Sequence, residues 1–89
     1  MNNKTLYKIK KLLEKKFKPD VLKIKDLSHL HKDHKGSEDG KGHYSIYIVS
    51  DLFHNTSLIN KHKMIYDSLD DIMLNEIHSL KIKALEPEK

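Results

Sequence analysis

Apolar residues recur at intervals of three and four along residues 4–18, which predicts an amphipathic helix. The members of this stripe are Leu6, Ile9, Leu12, Leu13 and Phe17. Asn3 or Thr5 can cap the first turn of the helix, and Pro19 ends it because proline does not continue a helix. The lysines between the apolar positions are expected to form its solvated face.

Three later segments are predicted to be β-strands, the first and third because apolar and polar residues alternate in them and the second because it is rich in β-branched and aromatic residues. They are residues 21–27, 43–50 and 77–84. No helical pattern separates the first two, so we expect them to pair as an antiparallel hairpin. In the third segment the alternation assigns His78, Leu80, Ile82 and Ala84 to the inner face, and Ser79, Lys81 and Lys83 to the outer face.

A second helical pattern follows the turn at residues 51–57, where Asn55, Thr56 or Ser57 can serve as the N-cap. Its apolar phase runs through Leu58, His62, Ile65, Leu69 and Ile72. The pattern fits one helix, or two helices with a bend near residues 61–64, and it ends at Asn75.

The predicted fold class is therefore α+β, in the order α-β-β-α-α-β. A right-handed crossover through the helices would make the second and third strands parallel. The result is a two-layer sandwich, in which a three-stranded mixed sheet carries helices on one face.

An 89-residue chain is expected to form a single domain, residues 1–89, without room for a large internal cavity. Residues 28–42 hold all three glycines, three histidines and six charged residues, and they predict a flexible loop. Residues 86–89 are expected to form a frayed tail.

The chain has no cysteine, which excludes disulfides, thiolate catalysis and an all-cysteine metal site. All 17 basic residues are lysines and the net charge is +4. Lysine binds phosphate but lacks the planar fork with which arginine reads guanine. No apolar run is long enough to span a membrane and the N-terminus lacks a secretory pattern, so we predict a cytoplasmic protein.

Three motifs resemble the BolA family when taken in order: Val-Ser-Asp-x-Phe at residues 49–53, Lys-His-Lys-Met-Ile-Tyr at 61–66, and Ile-His-Ser-Leu at 77–80. Gly36-Ser37-Glu38, before the His-aromatic start of the second strand, adds to the resemblance. Family members commonly carry Arg-His-Arg where this chain has Lys61-His62-Lys63, and the first loop is longer here by residues 39–42. The resemblance implies a class II KH-like fold. The Gly-x-x-Gly loop with which KH domains hold RNA is replaced by residues 60–63, so the fold alone does not imply RNA binding.

The resemblance also implies a role in iron–sulfur trafficking or iron and redox regulation, including stress responses, together with a monothiol glutaredoxin. Imidazoles can replace two thiolates on one iron of a two-iron cluster. Without cysteine this chain would share such a cluster, with the sulfur ligands coming from the glutaredoxin and its glutathione. We expect no cofactor in the isolated protein, which would be a monomer or a weak homodimer, and no membrane partner.

By the same resemblance, His78 matches the C-terminal ligand histidine of the family. Taken without the family, His78 is more simply a partly buried structural histidine. The second ligand is expected in the loop: His31 fits the spacing from Gly36, His34 fits the spacing from His43, and His29 is a third option. The alternative without a specific ligand role is a solvated histidine-rich loop that binds adventitious zinc or nickel.

The remaining histidines receive no ligand role. His62 is expected to pack against the core with one ring nitrogen hydrogen-bonded locally, and a partner contact is its second interpretation. His43 and His54 are interpreted as strand-edge and turn residues.

A DNA-binding transcriptional regulator is the alternative function, with a basic stripe of Lys61, Lys63, Lys81 and Lys83 on the helix and the last strand. Catalysis is the least favoured class, because no nucleophile lies in a recognisable strained turn. The acidic residues Asp67, Asp70 and Asp71 fit a solvated helix face.

Overall fold

The computed structural model describes residues 4–27 and 42–88. Its elements are α1 (Lys4–Phe17), β1 (Val21–Asp26), β2 (Gly42–Val49), a 3₁₀ turn (Asp51–Phe53), α2 (Leu58–Ser68), α3 (Asp70–Glu76) and β3 (Ile77–Leu85). The predicted order of elements is confirmed. The loop predicted at residues 28–42 lies outside the described residues except for Gly42, which begins β2.

The three strands form one sheet in the order β1-β2-β3. β1 and β2 are antiparallel, from Val21 opposite Val49 to Asp26 opposite Tyr44. β2 and β3 are parallel. This mixed sheet confirms both the predicted hairpin and the predicted parallel crossover.

One face of the sheet is buried beneath the helices. The inward residues of β2 are Tyr44, Ile46 and Ile48, each at most 6% exposed. The helices cover them with a set of fully or nearly fully buried residues: Ile9, Leu13, Phe17, Ile65, Leu69 and Ile72. Helices on one face only give the predicted two-layer arrangement.

The opposite face of the sheet carries no helix, and we call it the open face. It is formed by the outward residues of the three strands: Val21, Lys23, Lys25, His43, Ser45, Tyr47, Val49, Ser79, Lys81, Lys83 and Leu85. Its lysines are exposed to solvent, as the alternation along the strands predicts.

The Val-Ser-Asp-x-Phe motif joins β2 to the end of α1. The buried Ser50 hydroxyl donates a hydrogen bond of 2.8 Å to the carbonyl of Phe17 and accepts one of 3.2 Å from the Leu52 amide. Phe53 is fully buried, with its ring centroid 5.0 Å from that of Phe17. The motif is therefore a structural joint, since the Ser50 hydroxyl satisfies one of the carbonyls that a helix end leaves unpaired.

The second helical region forms two helices that break at Leu69, so both the single helix and the bend near residues 61–64 are wrong. Ser57 is the N-cap of α2, and its hydroxyl accepts a hydrogen bond of 3.2 Å from the Asn60 amide. α3 continues to Glu76, one residue beyond the predicted end at Asn75.

Candidate functional site

A β-bulge lies at the start of β3. Gly42 is opposite Ile77, but the next residue of β2, His43, is opposite Ser79, so His78 is an extra residue in its strand. The expectation that His78 faces inward is therefore wrong. Ile77 takes the buried position at 3% exposed, and the bulge places His78 at the surface.

The bulge brings His78 against His43. Their ring centroids are 4.7 Å apart, with an angle of 52° between the ring planes. His43 Nδ1 lies 2.7 Å from the Ser79 hydroxyl, a hydrogen bond whose direction depends on the tautomer of the ring. We call His43, His78 and Ser79 the histidine corner. Imidazole nitrogens are donors of the kind that iron and zinc accept as ligands, so two adjacent imidazoles at the surface make the histidine corner a candidate site.

His43 was predicted to be only a strand-edge residue, although the sequence holds a signal for its place beside His78. Parallel strands have their N-terminal ends at the same edge of a sheet. His43 and His78 are the second residues of β2 and β3, so parallel pairing places both at the same edge of the sheet, and the bulge then brings their rings into contact.

The loop candidates His29, His31 and His34 lie outside the described residues. Their roles as second ligands therefore stay predictions. Among residues 4–27 and 42–88, no group of three or more histidine, cysteine, aspartate or glutamate residues is arranged to hold a metal ion. The described part of the chain therefore holds no complete metal centre, and a metal bound at His78 would need ligands from elsewhere.

The other two described histidines lie apart from this pair. His62 is half-buried on α2, and its Nε2 is buried without a hydrogen-bond partner among the described residues. The local hydrogen bond expected for one ring nitrogen is therefore not made by Nε2, and it stays a prediction for Nδ1. His54 is exposed, with Nδ1 3.2 Å from a carboxylate oxygen of Glu86. The same oxygen accepts a hydrogen bond from the Asn55 amide, so Glu86, which sequence analysis assigned to a frayed tail, contacts the turn before α2.

A polar cluster lies on the helical side next to the histidine corner. The Thr5 hydroxyl and the Lys8 ammonium each donate a hydrogen bond of 2.8 Å to Glu76. These bonds, that from Lys8 first, hold the pKa of the Glu76 carboxyl below its usual value. Burial raises the pKa of the neighbouring Tyr44 hydroxyl, although a hydrogen bond with Thr5 opposes the shift. The cluster ties the start of α1 to the end of α3, two residues before His78.

The predicted basic stripe is divided between the two layers. Lys81 and Lys83 are exposed on the open face, where they line one groove together with Lys23 and Lys25. Lys61 and Lys63 belong to α2 in the helical layer. The structure therefore does not bring the four predicted lysines together.

Known proteins are similar to this chain over most of its length. A family model described as BolA-like protein matches residues 13–89. SufE-like protein 1, chloroplastic/mitochondrial, of Arabidopsis thaliana is 39% identical over 85 residues, which cover 90% of this chain and 23% of that protein. This chain thus spans less than a quarter of that relative. The DNA-binding transcriptional regulator BolA of Haemophilus influenzae is 35% identical over 81 residues, which cover 91% of this chain and 76% of the relative.

Solved structures agree with these matches. The BolA domain of SufE1 from Arabidopsis thaliana has a TM-score of 0.85 and 34% sequence identity, covering 98% of this chain and 96% of that one. Within residues 4–27 and 42–88, no helix combines the length and the apolar content needed to cross a membrane. The family model, the relatives and the fold confirm the resemblance carried by the three motifs, and this chain belongs to the BolA-like protein family.

Proposed function

We propose that this chain is an adaptor that binds a monothiol glutaredoxin and contributes histidine ligands to a two-iron cluster held between the two proteins. The observation that carries the proposal is the bulge at His78, which places that imidazole at the surface against the ring of His43.

The residues present fit such a group in their chemistry. Imidazole nitrogen is a ligand for iron in two-iron clusters, where two histidines take the place of two thiolates on one iron. His78 would provide one nitrogen. The second would come from the loop before β2, with His31 as the first candidate and His34 as the next. The cluster, when bound, supplies electron-transfer chemistry or a transferable cargo. The chain has no cysteine, so its sulfur ligands would come from the glutaredoxin and from glutathione.

Ser79 supports this arrangement by acting through His43. Its hydroxyl engages Nδ1 of His43, which limits the rotation of that ring against His78. Partners of this kind fix the orientation of metal-binding histidines. In this proposal His43 is a positioning residue for His78.

The test mixes the protein with a cluster-loaded monothiol glutaredoxin and records visible absorption and circular dichroism. His78→Ala should change the cluster spectrum strongly, and His31→Ala or His34→Ala should do so for whichever loop residue is the ligand. His54→Ala is the matched control, because His54 is an exposed histidine on the turn before α2. Thermal unfolding should be nearly unchanged for His78→Ala, since its side chain is exposed. A spectrum that none of the first three variants alters would remove the ligand assignment.

A DNA-binding regulator is the second candidate, because the Haemophilus influenzae relative bears that name. Phosphate contacts from lysines would make such binding depend steeply on salt. If the protein binds DNA in this way and does not associate with a monothiol glutaredoxin, the second candidate takes first place. No catalytic activity is proposed, and a cytoplasmic location stays a prediction.

A further inference from the structure

The open face carries four lysines in a regular arrangement. Lys25, Ser45 and Lys81 lie opposite one another and form one row across the sheet, and Lys23, Tyr47 and Lys83 form the next. Each row therefore has a lysine on both outer strands and a hydroxyl-bearing residue on the middle strand. Neighbouring rows are separated by two residues along a strand, roughly 6.6 Å. That separation is similar to the distance between successive phosphates of an extended nucleic-acid strand.

Among the residues that the structure describes, no acidic side chain lies on this face. None of the outward positions on β1, β2 and β3 is an aspartate or a glutamate. The two ion pairs formed within the described residues involve Lys8 and His54, and neither involves these four lysines. Like charges this close repel one another, so the face favours an anionic ligand with several charges.

An aromatic ring lies in the middle of the lysines. Tyr47 is 37% exposed, and Lys23 Nζ is 5.9 Å from the centroid of its ring. The ring and the four lysines line a groove of about 590 Å³ that is open to solvent. Single-stranded nucleic acids bind to sheets in this manner, with bases stacked on exposed aromatic rings and phosphates along a basic groove.

We propose that the open face binds single-stranded nucleic acid, with phosphates at the lysines of the two rows and one base stacked on Tyr47. A duplex would satisfy the lysines but would offer no unpaired base to the ring. An acidic protein segment or an anionic lipid surface would likewise leave the aromatic ring without a specific partner. This inference deepens the second candidate function and does not depend on the histidine corner. It places the contact on the sheet and not on α2.

The test measures the fluorescence anisotropy of a labelled oligothymidylate and of a duplex of equal length, each over a series of salt concentrations. Two double variants neutralise the proposed site, Lys23→Gln with Lys25→Gln and Lys81→Gln with Lys83→Gln. The matched control is Lys61→Gln with Lys63→Gln, which removes the same charge from the helical layer. Each sheet variant should reduce the slope of log affinity against log salt by about 1.4 for the single strand, and the control should leave it nearly unchanged.

Tyr47 separates stacking from simple charge attraction. Tyr47→Ser should weaken binding of the single strand about tenfold or more, whereas Tyr47→Phe should retain it and neither should change duplex binding. Thermal unfolding of each variant identifies any loss due to misfolding, and Tyr47→Phe provides a folded reference with the ring intact.

Five results would overturn the proposal. One is equal loss of binding in the α2 control and the sheet variants. Another is duplex binding as tight as that of the single strand, with no effect of Tyr47→Ser. A third is displacement of the oligonucleotide by polyglutamate or by phosphatidylserine vesicles added at the same concentration of negative charge. Loss of binding only in the α2 variant would leave the second candidate function in place, whereas no binding of the wild-type protein to either nucleic acid would remove both.

Discussion

Replacing Gly42 with alanine tests the packing beneath the histidine corner. A Cβ atom at Gly42 would lie 2.5 Å from Tyr44 Oη and 2.6 Å from two ring carbons of the same side chain. Tyr44 has little room to move, because it is 6% exposed and its hydroxyl is hydrogen-bonded with Thr5. Gly42→Ala must therefore displace the Tyr44 ring, the β2 backbone or both.

The stability lost in Gly42→Ala follows from opposing effects on the folded and the unfolded chain. Overpacking a buried site costs about 1–3 kcal/mol, and a lost Tyr44–Thr5 hydrogen bond adds about 1 kcal/mol. Alanine also restricts the unfolded chain, which offsets about 0.4–1 kcal/mol. We expect a net loss of about 1–3.5 kcal/mol in the free energy of unfolding, with each 1 kcal/mol lowering the melting temperature by about 4–8 °C.

Urea unfolding followed by far-ultraviolet circular dichroism measures this loss. The matched experiment repeats Gly42→Ala in a Tyr44→Leu background, where the clashing ring atoms are absent, as a double-mutant cycle. The substitution should cost clearly less there. A neutral or stabilising Gly42→Ala in the wild-type background, or an equal cost in both backgrounds, would refute the reasoning that Tyr44 requires glycine at this position.

Three further substitutions test other contacts by the same unfolding measurement. Ser50→Ala leaves the Phe17 carbonyl without its buried donor and should lower the free energy of unfolding by about 1–3 kcal/mol. The control, Ser45→Ala on the open face, should lower it by less than about 0.5 kcal/mol. Similar losses for the two variants would contradict the structural role of the Val-Ser-Asp-x-Phe motif. Because the folded-state pKa of Glu76 is lowered, its bonds to Thr5 and Lys8 stabilise the fold above the unfolded pKa and that contribution is lost as pH falls through the folded pKa. Glu76→Gln should therefore lower the free energy of unfolding by about 0.5–1 kcal/mol at pH 7, a small loss because Lys8 is half-exposed. Its curve of stability against pH should converge with that of the wild-type protein in acid. A difference in stability that does not depend on pH would contradict this. His62→Leu removes a buried ring nitrogen that has no partner among the described residues, and it should be neutral or stabilising by up to about 1 kcal/mol; a large loss would show that the nitrogen is hydrogen-bonded in solution.

The sequence determines most of the fold because the apolar periodicities are clear. The start of α1, the three strands and the mixed sheet all follow from the spacing of apolar residues and from the connection between strands. The sequence pattern does not reveal the break at Leu69. Ile65, Leu69 and Ile72 are all buried, so the apolar periodicity continues through the break. A local signal did exist: two aspartates, Asp70 and Asp71, occupy the first turn of α3, where negative charge favours a helix start.

The candidate site was predicted less well, for a specific physical reason. Strict alternation along β3 assigns Leu80, Ile82 and Ala84 to the core correctly, and the same rule then assigns His78 to the core. The bulge interrupts the alternation between Ile77 and Ser79, and a bulge has no sequence signal beyond the adjacent Gly42. Ile77 is the more apolar residue, and its burial determines on which side of the bulge each side chain lies.

The bulge also determines how the two candidate functions are related. It leaves His78 exposed with its ring against that of His43, and the row of His43 and Ser79 is followed directly by the row of Lys25, Ser45 and Lys81. The two rows are roughly 6.6 Å apart, which is less than the width of any protein interface. A partner that reaches His78 across the open face would cover the nearest lysines, so that one molecule would hold either the protein partner or the nucleic acid. A partner that approaches from the helical side would leave the lysines exposed, and both could then bind at once.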